Sequence, residues 1–400
     1  MPYALLPLLA AAAAFDALRG TRSLAAITVT AGSPLKWFRG RQSIVSLSLH
    51  SEQTRTGHLK LSLDLPESIT PVAPVATVRP RADGTVDIAC VPNQRGRFSI
   101  SVCYIAGLSP WQLWHARSPK SIDCEIRVFP DLERETGAKP LFFKKPGGLR
   151  PQRQLGRGRE FERLREYAHG DSFDEIYWKA TARRGKPIVK VFQVERTQDV
   201  YAVVDSSRLA AKNSATDRFV SAALMLALAA ENHGDNFGLV TFSDRVHDFV
   251  PASRGKGHFS RCREAIYDLE ARRVSPDFEE LFTFLQLRIR KRSLLLFLTD
   301  LGDPMLAEMF VRNSRMLARR HVVLVSRLEN DYARPLFSGP TPQTAEDICL
   351  RLAGHLQWAA FKDLEKNLHR LGIGVHSLRP EAAGIDLVQQ YVEVKRRQAL

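Results

Sequence analysis

The chain has 400 residues, 44% hydrophobic and 25% charged, which exceeds one ordinary domain and excludes a fibrous or wholly disordered chain. A formal net charge of +15 favours an anionic neighbour, either nucleic acid or the anionic face of a membrane, without choosing between them. Cysteines at 90, 103, 124, 262 and 349 form no CxxC pair and have no His at metal spacing, so neither a disulfide framework nor structural zinc organises the chain, and a reducing compartment is expected.

The chain opens on MPYALLPLLAAAAAF, an uncharged stretch shorter than the roughly 20 residues that span a bilayer. Arg19, Arg22, Lys36, Arg39 and Arg41 follow, which would keep the rest of the chain on the cytoplasmic side of a membrane. Residues 1–22 therefore read as an apolar membrane-anchor segment, with a helix packed on the protein itself as the bland alternative. From 23 to 130 the apolar period is two: Leu59, Leu61, Leu63 and Leu65 alternate with Lys60, Ser62 and Asp64, and Val45-Leu47-Leu49 and Phe98-Ile100-Val102-Tyr104 repeat the pattern. That rhythm, broken by Pro, Gly, Asn and Asp, predicts an antiparallel β-sandwich. Its isolated His50, His58 and His115 read as surface residues.

Residues 131–195 form a basic connector followed by a segment dense in charge and aromatics, Gly156 to Lys190. Disordered tails carry few aromatics and one dominant sign, so this segment is expected to be ordered. Arg165, Glu166, Asp171, Lys179 and Arg183 can form a buried charge network covered by Trp178 and Tyr167, which would bolt the two domains together. A partner-docking surface is the rival reading. From 196 to 380 strands alternate with helices of ten or more residues, predicting βαβ units and a Rossmann-like parallel sheet. Ser214 with Asp217 would cap a helix ending at His233. Helices are expected near His258 to Ala271, Phe278 to Arg290, Pro304 to Arg320 and Ile348 to Leu371, and residues 381–400 read as a polar tail.

Ligands of open parallel sheets collect at the carboxyl ends of strands, where strand order reverses. Two apolar strands end in Asp205 and Asp300. If those strands are neighbours, both carboxylates share one rim with Ser206 and Ser207, and Ser275 can add a hydroxyl. An all-oxygen set of this kind suits Mg²⁺, Mn²⁺ or Ca²⁺. The alternative is that these groups merely cap turns and helices.

The Asp205-Ser206-Ser207 turn, Gly234-Asp235, the Phe237 to Phe242 strand and the Thr299-Asp300 strand end together resemble a von Willebrand factor A-like domain, whose metal-ion-dependent adhesion motif is DxSxS with a distant Thr and Asp. The resemblance implies metal ligation by Asp205, Ser207, Ser275 and Asp300, with Mg²⁺ as the cation, although Leu209 stands at the second serine position. Leu164-Arg165-Glu166-Tyr167, Gly170-Asp171, Ile176, Trp178-Lys179-Ala180 and Ala182-Arg183 resemble the bacterial family called domain of unknown function 58. Arg95-Gly96-Arg97-Phe98 and Val128-Phe129-Pro130 suit that family's upstream β domain. This resemblance implies a non-enzymatic, membrane-associated interaction module at the cytoplasmic membrane, working with a MoxR-type AAA+ ATPase in a chaperone-like or assembly role. The partner would offer an acidic residue to the degenerate metal site.

Two rival functions follow from the residues. A Mg²⁺-dependent phosphohydrolase could use Asp205 and Asp300; against it, Ser207 occupies the third position of a DxD turn and no GxxxxGK[ST] loop exists. Nucleic-acid binding rests on charge alone, without an RNA-binding or helix-turn-helix signature.

Overall fold

The computed structural model describes residues 5–51, 58–78, 83–135, 155–168, 173, 176–193, 197–211, 215–330, 332–338 and 344–397. The protein is mixed α/β with antiparallel and parallel sheets, and it divides into two compact units.

The first unit comprises Met1–Gly137 with Ser206–Leu224 and Ser260–Val274. Its N-terminal part runs α1 (Leu5–Ala25), β1 (Ile27–Ala31), β2 (Leu35–Phe38), β3 (Ser43–Ser51), β4 (Leu59–Leu63), β5 (Ile69–Pro71), β6 (Ala76–Val78), β7 (Asp83–Pro92), β8 (Gly96–Leu108), β9 (His115–Phe129) and α2 (Leu132–Glu135). The strands form two sheets, β1-β3-β7-β5 and β2-β9-β8-β4-β6. All pairings are antiparallel except β2 with β9. Period-two side chains from both sheets, including Leu47 and Val86 from one and Leu61, Ile105 and Ile126 from the other, make a single apolar core.

Among the described residues no helix is long and apolar enough to cross a membrane. Helix α1, in the segment read from sequence as an anchor, is held on its own strands. Asp16, 1% exposed, accepts hydrogen bonds from Ser109 Oγ at 2.5 Å and from the Trp111 amide at 3.0 Å. Trp114 Nε1 donates to the Ala13 carbonyl at 3.0 Å, and Leu24 is fully buried. A buried carboxylate with two fixed donors is satisfied only in this docked position.

The second unit comprises Ala138–Asp205, Met225–Phe259 and Ser275–Leu400. From β10 to the C-terminus the elements are β10 (Leu155–Glu166), α3 (Trp178–Arg184), β11 (Ile188–Gln193), β12 (Asp199–Asp205), α4 (Ala215–Asn232), β13 (Asn236–Phe242), β14 (Val246–Ser253), α5 (Lys256–Ile266), α6 (Phe278–Arg288), β15 (Leu294–Leu298), α7 (Pro304–Arg320), β16 (Val322–Leu328), α8 (Ala345–Arg370), β17 (Gly374–Leu378) and α9 (Ala383–Arg396). Helices α4 and α5 each contribute residues to both units.

Six strands form one sheet in the order β14-β13-β12-β15-β16-β17, parallel except for the edge strand β14. Its central strands, VYAVV in β12 and LLLFL in β15, are buried throughout, as strands covered on both faces must be. Asp277 caps α6 by accepting from the Glu280 amide, and Asp303 with Pro304 starts α7. Ser214, the expected cap of α4, lies outside the described residues.

Two expectations are corrected. Helix α5 ends at Ile266 rather than continuing to Ala271. Within the first unit Arg95, its side chain 5% exposed, takes the carbonyls of Tyr267 and Leu269 at 2.9 and 2.5 Å and the Asp217 carboxylate at 2.8 Å. A guanidinium so placed satisfies carbonyls that a continuing helix would have used itself. Residues 381–400 are no polar tail: they include α9, which buries Ala383, Gly384, Leu387, Val388 and Tyr391 on one face. The Tyr391 hydroxyl donates to Asp235, and Lys395 Nζ reaches the same carboxylate at 2.6 Å. The apolar stripe at helical spacing was masked in the sequence by the basic run that ends the helix.

His321, 4% exposed after α7, accepts the Ser293 amide on Nδ1 at 3.3 Å. Burial, helped by Arg320 and Arg292, pushes its pKa down to about 4. Because the folded value lies below the unfolded one, protons favour the unfolded chain. Stability from this group is whole above pH 6.5 or so and declines by roughly 1.4 kcal/mol per pH unit toward pH 4. Denaturant unfolding followed across that window should show this limb, and His321→Asn, whose amide oxygen can replace Nδ1, should flatten it.

Candidate functional site

The rim expected from the sequence begins with strand pairing. Strands β12 and β15 are parallel neighbours, with Val204 opposite Leu298, so the chain delivers Asp205 and Thr299 at the same level. Strand order turns here, since β13 and β14 extend the sheet on one side and β16 and β17 on the other. Both residues are fully buried, and the Thr299 hydroxyl donates to Asp205 Oδ2 at 2.5 Å. Asp300 follows on the same strand end, and its Oδ1 is buried without a hydrogen-bond partner among the described residues. A Cβ on Gly302 would stand in ordinary contact with that oxygen, at 3.4 Å.

The remaining predicted ligands behave differently. Ser206 and Ser207, assigned to the first unit, are fully buried. Ser207 Oγ accepts the Leu209 amide at 3.3 Å, and the Ser206 carbonyl accepts the Arg272 amide at 2.7 Å. Leu209 is buried and supplies no oxygen. Ser275 is exposed in the loop before α6. Of the expected ligands, Asp205 and Asp300 therefore stand at adjoining strand ends. Thr299, which sequence reasoning passed over as a ligand, is the residue that binds Asp205. Its signal was its place directly after LLLFL. Carboxylate and hydroxyl oxygens fit a hard cation in kind, and the orphaned Asp300 Oδ1 is the atom that most wants one. No group of three or more His, Cys, Asp or Glu side chains gathers among the described residues.

The charged and aromatic segment forms a second surface in the same unit. Strands β10 and β11 pair antiparallel, with Arg165 opposite Val189 and Glu166 opposite Ile188. Helix α3 closes at Gly185, in the left-handed conformation at φ +67°, where glycine carries no Cβ penalty. Thr181 ties the helix to the strand, donating to the Tyr177 carbonyl at 3.1 Å and accepting the Ile188 amide at 3.0 Å.

The expected buried charge network is not found among the described residues. Helix α3 buries none of its side chains: Trp178 is 69% exposed, and Lys179 and Arg183 are exposed beside it. The Tyr177 amide ties the start of the helix to the Ile188 carbonyl as well, at 2.8 Å, and the two-turn helix leaves these groups facing outward. Phe173, 73% exposed, sits 5.8 Å from the half-buried Tyr167 ring. Arg165 donates to the Glu166 carbonyl at 3.2 Å, and Glu166 pairs with Lys186 at 3.6 Å, both side chains in solvent. Gly170 and Asp171 lie outside the described residues.

Comparison with known proteins bears on this segment. Residues 163–336 match the family model described as protein of unknown function DUF58, which supports that family for the chain. No curated protein matches. Similar solved structures include proximal thread matrix protein 1 from the mussel byssus, with 14% identity, 49% of this chain and 44% of that chain covered, and a TM-score of 0.28. An aerotolerance-related membrane protein from Bacteroides fragilis NCTC 9343 has 12% identity, with 49% of this chain and 98% of that chain covered, at a TM-score of 0.31. E. coli alpha-2-macroglobulin has 17% identity, with 26% and 7% covered, at a TM-score of 0.20. The chain thus spans less than half of the mussel protein and a small fraction of the macroglobulin.

If the α3 surface is held out for a partner, its rings contribute little to folding. Trp178→Ala and Phe173→Ala should each change the unfolding free energy by less than about 0.5 kcal/mol. Ile188→Ala, at a residue 1% exposed on β11, should cost about 2–5 kcal/mol. Denaturant titration separates the cases, and a Trp178→Ala loss as large as that of Ile188→Ala would make the ring a structural bolt.

Proposed function

We propose that this chain is a non-enzymatic interaction module, with an N-terminal β-sandwich and a Rossmann-like, von Willebrand factor A-like domain, that docks a MoxR-type AAA+ ATPase in a chaperone-like or assembly role. The observation that carries the reading is the exposure of Trp178 and Phe173 beside the cations Lys179 and Arg183. Aromatic rings left in water next to basic side chains are the composition of interface hot spots, and they bind when a partner desolvates them. An acidic, apolar-bearing patch on the ATPase is the complement. The rim at Asp205 and Asp300 is the second contact. There Mg²⁺ would rest on the two carboxylates and take a partner's acidic residue as a further ligand.

The reading also keeps the chain at the cytoplasmic face of a membrane. Leu9, Phe15 and Leu18 are exposed on α1, with Arg19 and Arg22 following them. Exposed apolar side chains followed by arginines suit a helix lying in an anionic interface.

The test is retention of a purified MoxR-type ATPase by the immobilised full chain. Retention should fall about tenfold or more for Trp178→Ala and for the double variant Lys179→Glu, Arg183→Glu, while both fold like the parent. Mg²⁺ should raise the melting temperature of the parent and leave that of Asp205→Ala unchanged. Equal retention of all variants would contradict the docking surface, and a Mg²⁺ response that survives Asp205→Ala would contradict the cation rim.

A further inference from the structure

A polar cavity lies in the second unit. It has a volume of about 250 Å³ and opens at the carboxyl ends of β16 and β17, under the middle turns of α8. Three cations line it, Arg327, Arg334 and Lys362, against one carboxylate, Glu329. Asn330 and Ser377 add neutral hydrogen-bonding groups. Trp358, Phe361 and Lys362 reach it from one face of α8, as their spacing of three and four residues dictates.

Arg327 is the unexplained member. It is the penultimate residue of β16, and its guanidinium carbon stacks 4.1 Å from the centre of the Phe361 ring. Among the described residues its only side-chain hydrogen bond runs from Nε to the Leu328 carbonyl, at 3.4 Å. Burial pulls its pKa below the ordinary value, against the opposing attraction of Asp300 and Glu329. This half-buried guanidinium is fixed against an aromatic face, and among the described residues its two Nη groups meet no hydrogen-bonding partner. Such a fork matches the oxygens of a phosphate or carboxylate in geometry.

The rim of the cavity is built rather than loose. The Leu336 amide donates to His355 Nδ1 at 3.2 Å, and Asn330 Nδ2 donates to Gln357 Oε1 at 3.2 Å. Between them Gly354 gives the Tyr332 carbonyl room that a Cβ would fill, at 2.0 Å. The loop carrying Asn330 and Arg334 is thereby strapped along α8. Lys362 is also held in place, by Glu365 at 2.7 Å.

We propose that this cavity is an anion site that takes the phosphate group of a small phosphorylated ligand, with Arg327 as its anchor and Arg334 and Lys362 as flanking cations. Three positive side chains against one negative suit a dianion better than a carboxylate, and the volume suits a phosphate with a small ester group rather than a large cofactor. The site does not depend on the docking reading, although Asp300 of the rim lies within electrostatic reach of Arg327.

Calorimetric titration of the full chain, at fixed ionic strength, tests the proposal with inorganic phosphate and with glycerol phosphate as probes. Saturable binding is expected for at least one. Tighter binding of the ester would assign a phosphoester, and equal binding would assign free phosphate. Arg327→Gln should weaken binding about tenfold or more, with Arg327→Lys between the two. Because Arg327 is half-buried, Arg334→Gln serves as the second variant: Arg334 is exposed, the variant should still fold cooperatively, and it should weaken the same probe several-fold. No saturable binding at millimolar phosphate, or binding that neither variant alters, would overturn the proposal.

Discussion

The hydrogen bond from Thr299 to Asp205 is the interaction on which the second unit turns. A carboxylate with no exposure is costly in the apolar layer between β12 and β15 unless a fixed donor meets it, and parallel pairing of Val204 with Leu298 brings the hydroxyl to it. Slipping that register by one residue would leave the carboxylate without this donor and turn the alternate side chains of VYAVV and LLLFL to opposite faces. The bond therefore acts as a register lock at the point where the sheet changes direction. It also fixes the strand end from which Asp300 projects.

Charge is handled in three ways in this molecule. Buried charges are enclosed by designated partners: Asp16 by Ser109 and Trp111, Asp235 by Tyr391 and Lys395, Arg95 by Asp217 and backbone carbonyls. Each pairing is structural, since its polar atoms are already engaged. The cations of α3 are left in solvent beside exposed rings, where they cost the fold little and remain open to a partner. Arg327 stands between these cases, half-buried and stacked on Phe361, and the cavity before it has room for a ligand. The acidic rim, the aromatic surface and the basic cavity thus differ in kind.

Much of the architecture was legible because apolar periodicity reports burial directly. The period-two runs around Leu47 and Leu61 fall in strands with alternating burial, and the helix from Pro304 to Arg320 has the expected bounds because Asp303, Pro304 and His321 punctuate it. What the sequence hid depended on distant partners. The early end of α5 is set by Arg95, more than 150 positions away in the chain, and the burial of α9 depends on Asp235. Site reading had the same limit. Asp205 and Asp300 announced themselves at the ends of apolar strands, but Ser275 lies in solvent, and the aromatic rings thought to cover a charge network are exposed. Charge-dense segments look alike in sequence whether their side chains point inward or outward. A stacked arginine such as Arg327 emerges only when α8 is laid over β16.

The account rests most directly on the coupling of Asp205 to Thr299, which a double-mutant cycle in unfolding free energy measures. Asp205→Asn, Thr299→Val and the double variant should give a coupling of about 1–3 kcal/mol, as for a buried hydrogen bond to a charged group. Losses that add to within about 0.5 kcal/mol would mean that the two side chains do not hold each other, and the register lock at the centre of the sheet would fail with them.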